Sequence, residues 1–552
     1  MKKFDIVFLI LAVILAIFLN AHYISGLYYE QDLGEYVYDV LRILSGKKWY
    51  YIQVSNKPPG IHLIYILAFK LFGNSFISIQ IFSLFANILA VILLWFLARY
   101  ILFQEVRFYF LLPLFYALFS VSESLQGHTS NCETFLNPFQ ICGILFLGLA
   151  QKSKRNLFYF LSGLILTFGF LIKQSCLAIF MAGAVFIFMI KIINKESLYI
   201  FLKKLSLYFI GPIVILLLVL VYFFYLGTLN NFIQCVFIRN IEYIKNVLIL
   251  KKVYTVWTLR KIWEGLKIEI IMFIFLATLG ISFSFIRYKK YERLLLLLWF
   301  FIPFFMVIWP GLHYRHHYLE IVASVLALGI AGLSDLYGFL ISKLKQKRLF
   351  LRFFVSIGVL ILSYPFFHTI MPLVKKNKLA DSFFITQRYI KAKDKEKYLP
   401  LLIKEAPDAA RRFIIANYVK EHTDKKDKIF VWDGFATGAI YLWTERKGIV
   451  DIKTKYSLLP DELGYPFRSI FSKKNYDYIK RQKIILEKIL EKPPIYIIVV
   501  EATFPIPNAP FNPKEMLLLE KKAFKEFFIF LNQNYILEKE FMGCFAYRFK
   551  NY

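Results

Sequence analysis

The amino-acid sequence predicts an all-α polytopic membrane domain followed by a small α/β domain outside the membrane. Hydrophobic residues make up 58% of the 552 residues, 60 residues are phenylalanine, and the mean hydropathy is +0.55, which is too apolar for a soluble chain of this length. Apolar stretches recur through residues 1–374, whereas charged residues return from residue 375 onward at the density of a soluble domain. We therefore divide the chain into residues 1–374 and 375–552.

About eleven apolar stretches in the first domain are candidate transmembrane helices, which need roughly 17 to 25 residues to cross the hydrocarbon. They centre on residues 4–23, 76–98, 108–121, 135–150, 157–172, 176–193, 205–226, 270–286, 294–309, 319–340 and 349–371. The first stretch follows two lysines but lacks a small-residue cleavage site, and many spans follow it. We therefore interpret it as a transmembrane helix and not as a signal peptide.

The charge distribution predicts which side of the membrane each loop occupies. The formal net charge is +31, but many of the Lys and Arg residues lie in short loops between spans, where they set topology, so we exclude nucleic-acid binding. The basic loops share one side with the N-terminus, which predicts that this side is the cytoplasm. An odd number of spans then places residues 375–552 on the outer side.

The second domain combines short β-like runs with helical stretches. Residues 429–432, 495–500 and 544–549 read as strands, and residues 476–490 read as a helix. A stretch of this length is long enough to bury its own core. The sequence therefore predicts a small α/β domain.

The first outer loop, residues 28–74, is the most informative part of the chain. From Asp32 to Leu44 one face is apolar at helical spacing, while Asp32, Glu35, Tyr36 and Asp39 share another face. Residues 61–72 form a second apolar stretch that is too short to cross the membrane upright, and the prolines before it suit a first helical turn. Two interpretations remain open here: two amphipathic supports whose acids face water, or one wall of a functional site.

A series of residues along the chain resembles one family. In the first loop these are Asp32 with Tyr36, Gly46, residues 49–51, Lys57-Pro58-Pro59-Gly60 and Phe72-Gly73. Further along they are Asn131 and Glu133, the span from Gly163 to Gly169 that leads to Lys173-Gln174, Gly227 with Asn240 and Tyr243, and residues 314–318. In this order they resemble the bacterial protein-mannosyltransferase-like and aminoarabinose-transferase-like enzymes, which are polytopic glycosyltransferases of the GT-C fold.

The resemblance implies transfer of a sugar from a polyprenyl-phosphate donor to an acceptor outside the cytoplasm, with inversion, at a bacterial cytoplasmic membrane. Asp32 is then the base that deprotonates an acceptor hydroxyl; an acceptor phosphate would need no base. Many relatives have Asp-Glu where this chain has Asp32-Leu33, so Glu35 is a candidate for the second acid. Asn131 and Glu133 are further candidates for the acceptor or second acidic site.

Departure of a phosphate-linked sugar needs positive charge or hydrogen-bond donors around the phosphate more than it needs a proton. The candidates are Lys57, Lys173, Arg315, His317 and Tyr318. This chemistry requires no cofactor. His313, His316 and His317 have a spacing that a divalent metal could use, but Arg315 lies among them and disfavours a metal site. The five cysteines show no paired metal spacing.

Other interpretations remain for the site residues and for the whole chain. Lys57 and Lys173 could reach lipid headgroups from the ends of spans, and Glu133 could lie on a solvated face. A lipid-linked-substrate transporter or flippase would have a similar number of spans, but ionisable residues near mid-span would be expected, whereas Glu320 and Asp335 lie near the ends of theirs. A noncatalytic anchor for the outer domain is the second alternative. The sequence identifies no protein partner.

Overall fold

The computed structural model describes residues 3–50, 56–102, 109–242, 244–245, 273–286, 290–309, 314–343, 384–434, 436–449, 478–501, 518 and 520–551. The predicted span 349–371, together with Tyr51, Tyr243 and His313, lies outside the described residues.

The membrane domain is built from helices. They are α1 (Lys3–Ala21), α2 (Asp32–Leu44), α3 (Pro59–Phe72), α4 (Phe76–Leu97), α5 (Leu111–Phe119), α6 (Cys132–Ser153), α7 (Leu157–Ile172), α8 (Cys176–Asn194), α9 (Leu198–Tyr225), α10 (Leu229–Ile233), α11 (Phe273–Ile286), α12 (Tyr291–Ile308) and α13 (Leu319–Lys343). Short π-helical segments follow α4 and α10, and a 3₁₀ turn, Arg315–Tyr318, precedes α13. The predicted polytopic helical architecture is thus confirmed.

Six helices in the described part of the chain are long and apolar enough to cross a membrane: Phe76–Leu102, Cys132–Ser153, Cys176–Asn194, Leu198–Tyr225, Tyr291–Ile308 and Arg315–Phe339. The predicted number of eleven spans is not confirmed. The stretch 108–121 forms a helix of only 9 residues, which is too short to cross the hydrocarbon upright. The predicted stretch 205–226 belongs to a helix that begins earlier, at Leu198.

Burial separates central helices from peripheral ones. In α6 and in the helix that contains α13, 78% and 89% of the most apolar window is buried inside the protein, compared with 22% in α9. A helix that is apolar on all sides but poorly buried presents its surface to lipid. The two central helices therefore carry the polar residues that can be shielded from the bilayer.

The two helices of the first loop begin and end near the predicted residues. Pro58 precedes α3 and Pro59 is its first residue, where a missing N–H removes no intrahelical bond. Helix α2 begins at Asp32, and its buried side includes Tyr36 and Asp39. Asp39 does not face water, because its Oδ2 lies 3.3 Å from Nε2 of the buried His62 on α3.

The C-terminal domain, which we call the outer domain after its predicted side of the membrane, contains a five-stranded sheet with the order β2-β1-β3-β5-β4. Its elements are α14 (Ile385–Lys391), α15 (Leu399–Glu405), α16 (Pro407–Glu421), β1 (Lys428–Trp432), α17 (Thr437–Thr444), β2 (Lys447–Gly448), α18 (Tyr478–Glu491), β3 (Tyr496–Val500), α19 (Lys525–Asn534), β4 (Tyr535–Phe541) and β5 (Cys544–Phe549). Strand β1 pairs with β2 and β3 in parallel, whereas β5 pairs with β3 and β4 in antiparallel. The three predicted strands (β1, β3 and β5) and the predicted helix are confirmed, and β2 and β4 are additions.

The outer domain rests directly on the loop that leads into α2. Asp408 on α16 accepts hydrogen bonds from the Tyr28 hydroxyl at 3.1 Å and from Nε2 of Gln31 at 3.3 Å. The buried Arg412 reaches both oxygens of Asp433, through Nε at 2.6 Å and Nη2 at 2.9 Å. Arg412 also donates to Oδ1 of Asp408, so the carboxylate that Tyr28 and Gln31 contact is held in place within the outer domain.

A close backbone approach joins the same two parts of the chain. A Cβ at Gly438, on α17, would lie 2.2 Å from the carbonyl oxygen of Gly34 and 2.6 Å from the backbone nitrogen of Tyr38. Only glycine permits this contact, because the opposing atoms belong to backbone and cannot rotate away.

Replacing Gly438 with alanine is therefore expected to separate α17 from α2 and to destabilise the protein by about 1–3 kcal/mol, the usual cost of overpacking. Thermal unfolding of the detergent-solubilised protein measures the change. Gly338→Ala is the matched control, because a Cβ there meets nothing within 4 Å. Equal melting temperatures for both variants would contradict the close packing.

Candidate active site

The candidate site lies where the ends of several helices meet beneath the outer domain. The first residues of α2 and of α6, the turn before α3, the link between α7 and α8, and the 3₁₀ turn before α13 all contribute side chains. The opposite end of the bundle carries a different ion pair, Arg293 Nη2 to Asp335 Oδ2 at 2.9 Å. The sequence separates these groups widely, so the tertiary structure alone brings them together.

A buried trio of charges forms the base of the site. The ammonium group of Lys173 donates to Oε1 of Glu133 and, at 2.6 Å, to Oε1 of Glu320. Glu133 is only 1% exposed and Glu320 only 2% exposed. The Ser175 hydroxyl adds a 2.9 Å hydrogen bond to Glu320. The interpretation of Glu133 as part of a solvated face is therefore wrong.

Two carboxylates around one ammonium keep Lys173 charged. Burial by itself lowers the pKa of a lysine, but the charges of Glu133 and Glu320 outweigh it and raise the pKa of Lys173 above its usual value. The trio carries one net negative charge. Lys173 consequently balances buried acids before it can act on a substrate, and the snorkelling interpretation does not describe it.

The Lys57-Pro58-Pro59-Gly60 turn is fixed to the end of α7. The carbonyl of Asn56 accepts hydrogen bonds from Nε2 of Gln174 and from Nδ2 of Asn240, both at 2.8 Å. The carbonyl of Lys57 accepts from the Tyr50 hydroxyl at 2.9 Å. A Cβ at Gly60 would lie 2.5 Å from the carbonyl oxygen of Leu171, which explains the glycine at this position.

The half-buried side chain of Lys57 faces the acidic groups of the site. It interacts electrostatically with Glu30, Glu133 and His316. Lys57 therefore lies among the site residues rather than in an isolated loop.

Asn131 connects α2 to α6. Its Oδ1 accepts from the backbone N–H of Cys132, at the start of α6, at 2.8 Å and from the Tyr36 hydroxyl at 3.2 Å. Its Nδ2 approaches Oε2 of Glu30 at 3.4 Å. Tyr36 lies four residues after Asp32, so Asp32 lies one helical turn from the contact between Tyr36 and Asn131. Asp32 is half-buried and interacts electrostatically with Glu30 and His316.

The 3₁₀ turn Arg315–Tyr318 contributes histidines to the site. Nδ1 of His316 lies 3.0 Å from Oε1 of Gln126, so this amide oxygen accepts a hydrogen bond from Nδ1–H. The other ring nitrogen, Nε2, lies 3.9 Å from Oε1 of Glu133. His317 belongs to the same group, because ligand atoms of Glu133, His316 and His317 lie within 4.8 Å of one another.

Each of these three residues offers one ligand atom that a divalent cation could use. Oε2 of Glu133 is buried and accepts no hydrogen bond from the described residues, and a hydrogen bond that orients the second ring nitrogen is typical of a metal-binding histidine. A cation held there would add positive charge beside Lys173. The sequence disfavoured a metal at His313, His316 and His317; His313 lies outside the described residues, and Glu133 lies beside the other two histidines.

The three remaining sequence candidates, Glu35, Arg315 and Tyr318, are half-buried. Glu35 is half-buried on α2 and is not among the main electrostatic neighbours of Glu30, Glu133 or His316 within the described residues. Arg315 and Tyr318 are half-buried on the 3₁₀ turn, and Tyr318 packs against the apolar core of the membrane domain. The sequence reasoning missed Glu30 and Glu320, although an acid in the first turn of an apolar span is a visible signal for Glu320.

Comparisons with known proteins agree with this architecture. The family model described as dolichyl-phosphate-mannose-protein mannosyltransferase matches residues 56–225, which include Lys57, Asn131, Glu133 and Lys173. No curated protein matches the sequence of the chain.

Solved structures share the fold over the whole chain. The structure of ArnT from Cupriavidus metallidurans bound to undecaprenyl phosphate superposes with a TM-score of 0.56 at 11% identity, covering 99% of this chain and 98% of that one. The Archaeoglobus fulgidus oligosaccharyltransferase tethered to an acceptor peptide gives a TM-score of 0.54 at 11% identity, covering 100% of this chain and 74% of that one. The predicted resemblance is therefore confirmed: the chain has the GT-C fold of the membrane glycosyltransferases.

Proposed function

We propose that this protein transfers a sugar from a polyprenyl-phosphate donor to an acceptor on the non-cytoplasmic side of the membrane, with inversion at the sugar carbon. The observation that supports the proposal most is the convergence of Asp32, Lys57, Lys173 and Glu133 at one end of the helical bundle, beneath the outer domain. The ArnT structure was obtained with undecaprenyl phosphate, and a second archaeal structure, AglB, with a dolichol phosphate.

Lys173 and Lys57 have different surroundings, and we assign them different roles. Lys173 is enclosed by Glu133 and Glu320, so its charge mainly stabilises the buried acids. Lys57 is half-buried on a fixed turn and is the better candidate to bind the donor phosphate, with Arg315 and His317 from the neighbouring 3₁₀ turn. Preorganised positive charge of this kind stabilises the phosphate as it leaves.

Asp32 is the proposed base. It is half-buried at the N-terminus of α2, so its carboxylate can reach both the site and an acceptor that arrives from water. Removing the proton from an acceptor hydroxyl as the sugar carbon is attacked is a role for a carboxylate within hydrogen-bond reach. If the acceptor is itself a phosphate, Asp32 orients the acceptor and accepts no proton.

The direct test is consumption of a donor. Purified protein in detergent is incubated with a panel of polyprenyl-phosphate sugars and with cell-envelope extract as the source of acceptors, and release of polyprenyl phosphate is measured. We expect one member of the panel to be consumed in a manner that depends on the extract. Folded protein that consumes none of the hexosyl or pentosyl donors would contradict the proposal and would favour the anchor interpretation.

The proposed transfer requires no metal, because Lys57, Arg315 and His317 can supply the positive charge and hydrogen-bond donors that a departing phosphate needs. We therefore expect EDTA to leave the rate of polyprenyl phosphate release unchanged. The measurement is the rate before and after chelation. If EDTA lowered the rate and added zinc or manganese restored it, a cation would be assigned to Glu133, His316 and His317. In that case, zinc or manganese should fail to restore the rate in the His317→Ala variant.

A further inference from the structure

A carboxyl group that the sequence did not single out lies beside the proposed base. Glu30 precedes α2 by two residues, and its Oε2 accepts a 2.9 Å hydrogen bond from the backbone N–H of Asp32. The same oxygen lies 3.4 Å from Nδ2 of Asn131. One carboxyl oxygen therefore joins the first turn of α2 to the residue that caps α6.

The neighbouring Gln31 is held from the other side. Its amide donates to Asp408 of the outer domain at 3.3 Å, and the Tyr28 hydroxyl donates to the same carboxylate at 3.1 Å. Tyr28 and Gln31 are thus bonded to the outer domain, whereas Glu30 is bonded to the membrane domain. The segment that presents Asp32 is clamped between the two, and Glu30 is the contact on the side of the site.

We propose that Glu30 is a positioning residue for Asp32: its carboxyl group holds the first turn of α2 against Asn131 and so fixes the Asp32 carboxylate relative to Lys57 and Glu133. The inference rests on the proposed function, in which Asp32 acts on the acceptor. In this proposal the site needs no acid at Leu33, because Glu30 supplies its second carboxyl group and Glu35 does not.

The groups that face Glu30 favour its neutral form. Partial burial and the charges of Asp32 and Glu133 raise its pKa well above the usual range, whereas the Asp32 N–H and Lys57 act in the opposite direction. The phenol of Tyr65 on α3 is also within electrostatic range. A neutral carboxyl group can accept from the Asp32 N–H while its own O–H donates elsewhere, and a glutamine side chain reproduces both features.

Two variants test the inference. Glu30→Ala removes the acceptor for the Asp32 N–H, and we expect it to lower kcat roughly tenfold to 10²-fold with little change in KM for the donor, as misplaced catalytic groups do. Glu30→Gln keeps the acceptor and is expected to retain most of the activity. The assay uses the polyprenyl-phosphate sugar that the donor panel identifies.

The pH profile separates positioning from simple stability. In the wild type kcat is expected to fall as the pH rises through the raised pKa of Glu30, because ionisation places a second negative charge beside Asp32. The Glu30→Gln variant has no such group and should lose this alkaline decline. A Glu30→Gln variant as impaired as Glu30→Ala, or an unchanged alkaline limb, would overturn the inference.

Hydrogen–deuterium exchange gives a readout that is independent of activity. We expect Glu30→Ala to increase exchange in residues 32–36 and Glu30→Gln to leave it near the wild-type level. If the wild type consumes no donor, the proposed function fails. The exchange measurement still decides whether Glu30 orders the first turn of α2. Unchanged exchange in both variants would reject the positioning role.

Discussion

Replacing Lys173 with methionine is expected to destabilise the protein by about 3–5 kcal/mol and to abolish sugar transfer. The reason is that Glu133 and Glu320, which are 1% and 2% exposed, would lose the ammonium group that balances them, and removing one partner of a buried ion pair leaves an uncompensated charge. The yield of folded protein in detergent and its thermal unfolding measure the first effect, and polyprenyl phosphate release measures the second.

Two further variants make this result specific. Lys203→Met changes an exposed lysine and should behave like the wild type. Combining Lys173→Met with Glu320→Gln removes one of the two buried charges and should recover part of the lost stability without restoring transfer. If the double variant were no more stable than Lys173→Met, the electrostatic account of the trio would be wrong.

Replacing Asp32 with asparagine is expected to lower kcat by roughly 10²–10⁴-fold, the usual contribution of a general base, while stability stays unchanged. Stability should be preserved because Asp32 is half-buried and its backbone N–H, not its carboxylate, makes the described bond to Glu30. Donor turnover in vitro and surface glycosylation in a strain that carries the variant are the measurements.

The control for Asp32 is Asp424→Asn, an exposed carboxylate of the outer domain. Normal transfer by a well-expressed Asp32→Asn variant would remove Asp32 from the catalytic role. A modest increase in the KM for the acceptor with an unchanged kcat would point instead to the orienting role that an acceptor phosphate requires. The two outcomes are distinguished by varying the acceptor concentration.

The first outer loop shows how far local patterns reach. The apolar spacing after Asp32 and the prolines at 58 and 59 predict helices that the structure places at Asp32–Leu44 and Pro59–Phe72. The same patterns do not show that Asp39 pairs with His62, because the partner lies on another helix. Helical periodicity describes one element at a time, whereas a contact between two buried polar side chains needs two elements in a defined orientation.

The site residues also divide into those that the sequence predicted and those that only the tertiary structure revealed. The sequence and the family resemblance brought Lys57, Asn131, Glu133 and Lys173 forward as candidates, and the structure places them within one region. It did not bring forward Glu320, which is 147 residues from Lys173, or the contact between Glu30 and Asn131 across 101 residues. No local property of Glu30 distinguishes it from a solvated acid, since only its surroundings in the fold alter its electrostatics.

By itself, then, the sequence determined the membrane character, most helices of the membrane domain and three of the five strands of the second domain, because hydropathy and periodicity are properties of neighbouring residues. The fold was predicted from the resemblance to one family. Tertiary structure alone decided which charges are buried, which of them neutralise one another and which carboxyl group accompanies Asp32. The physical reason is that the free energy of a charge depends on the distance to its partners and on its exposure to water, and both are set only when remote segments pack together.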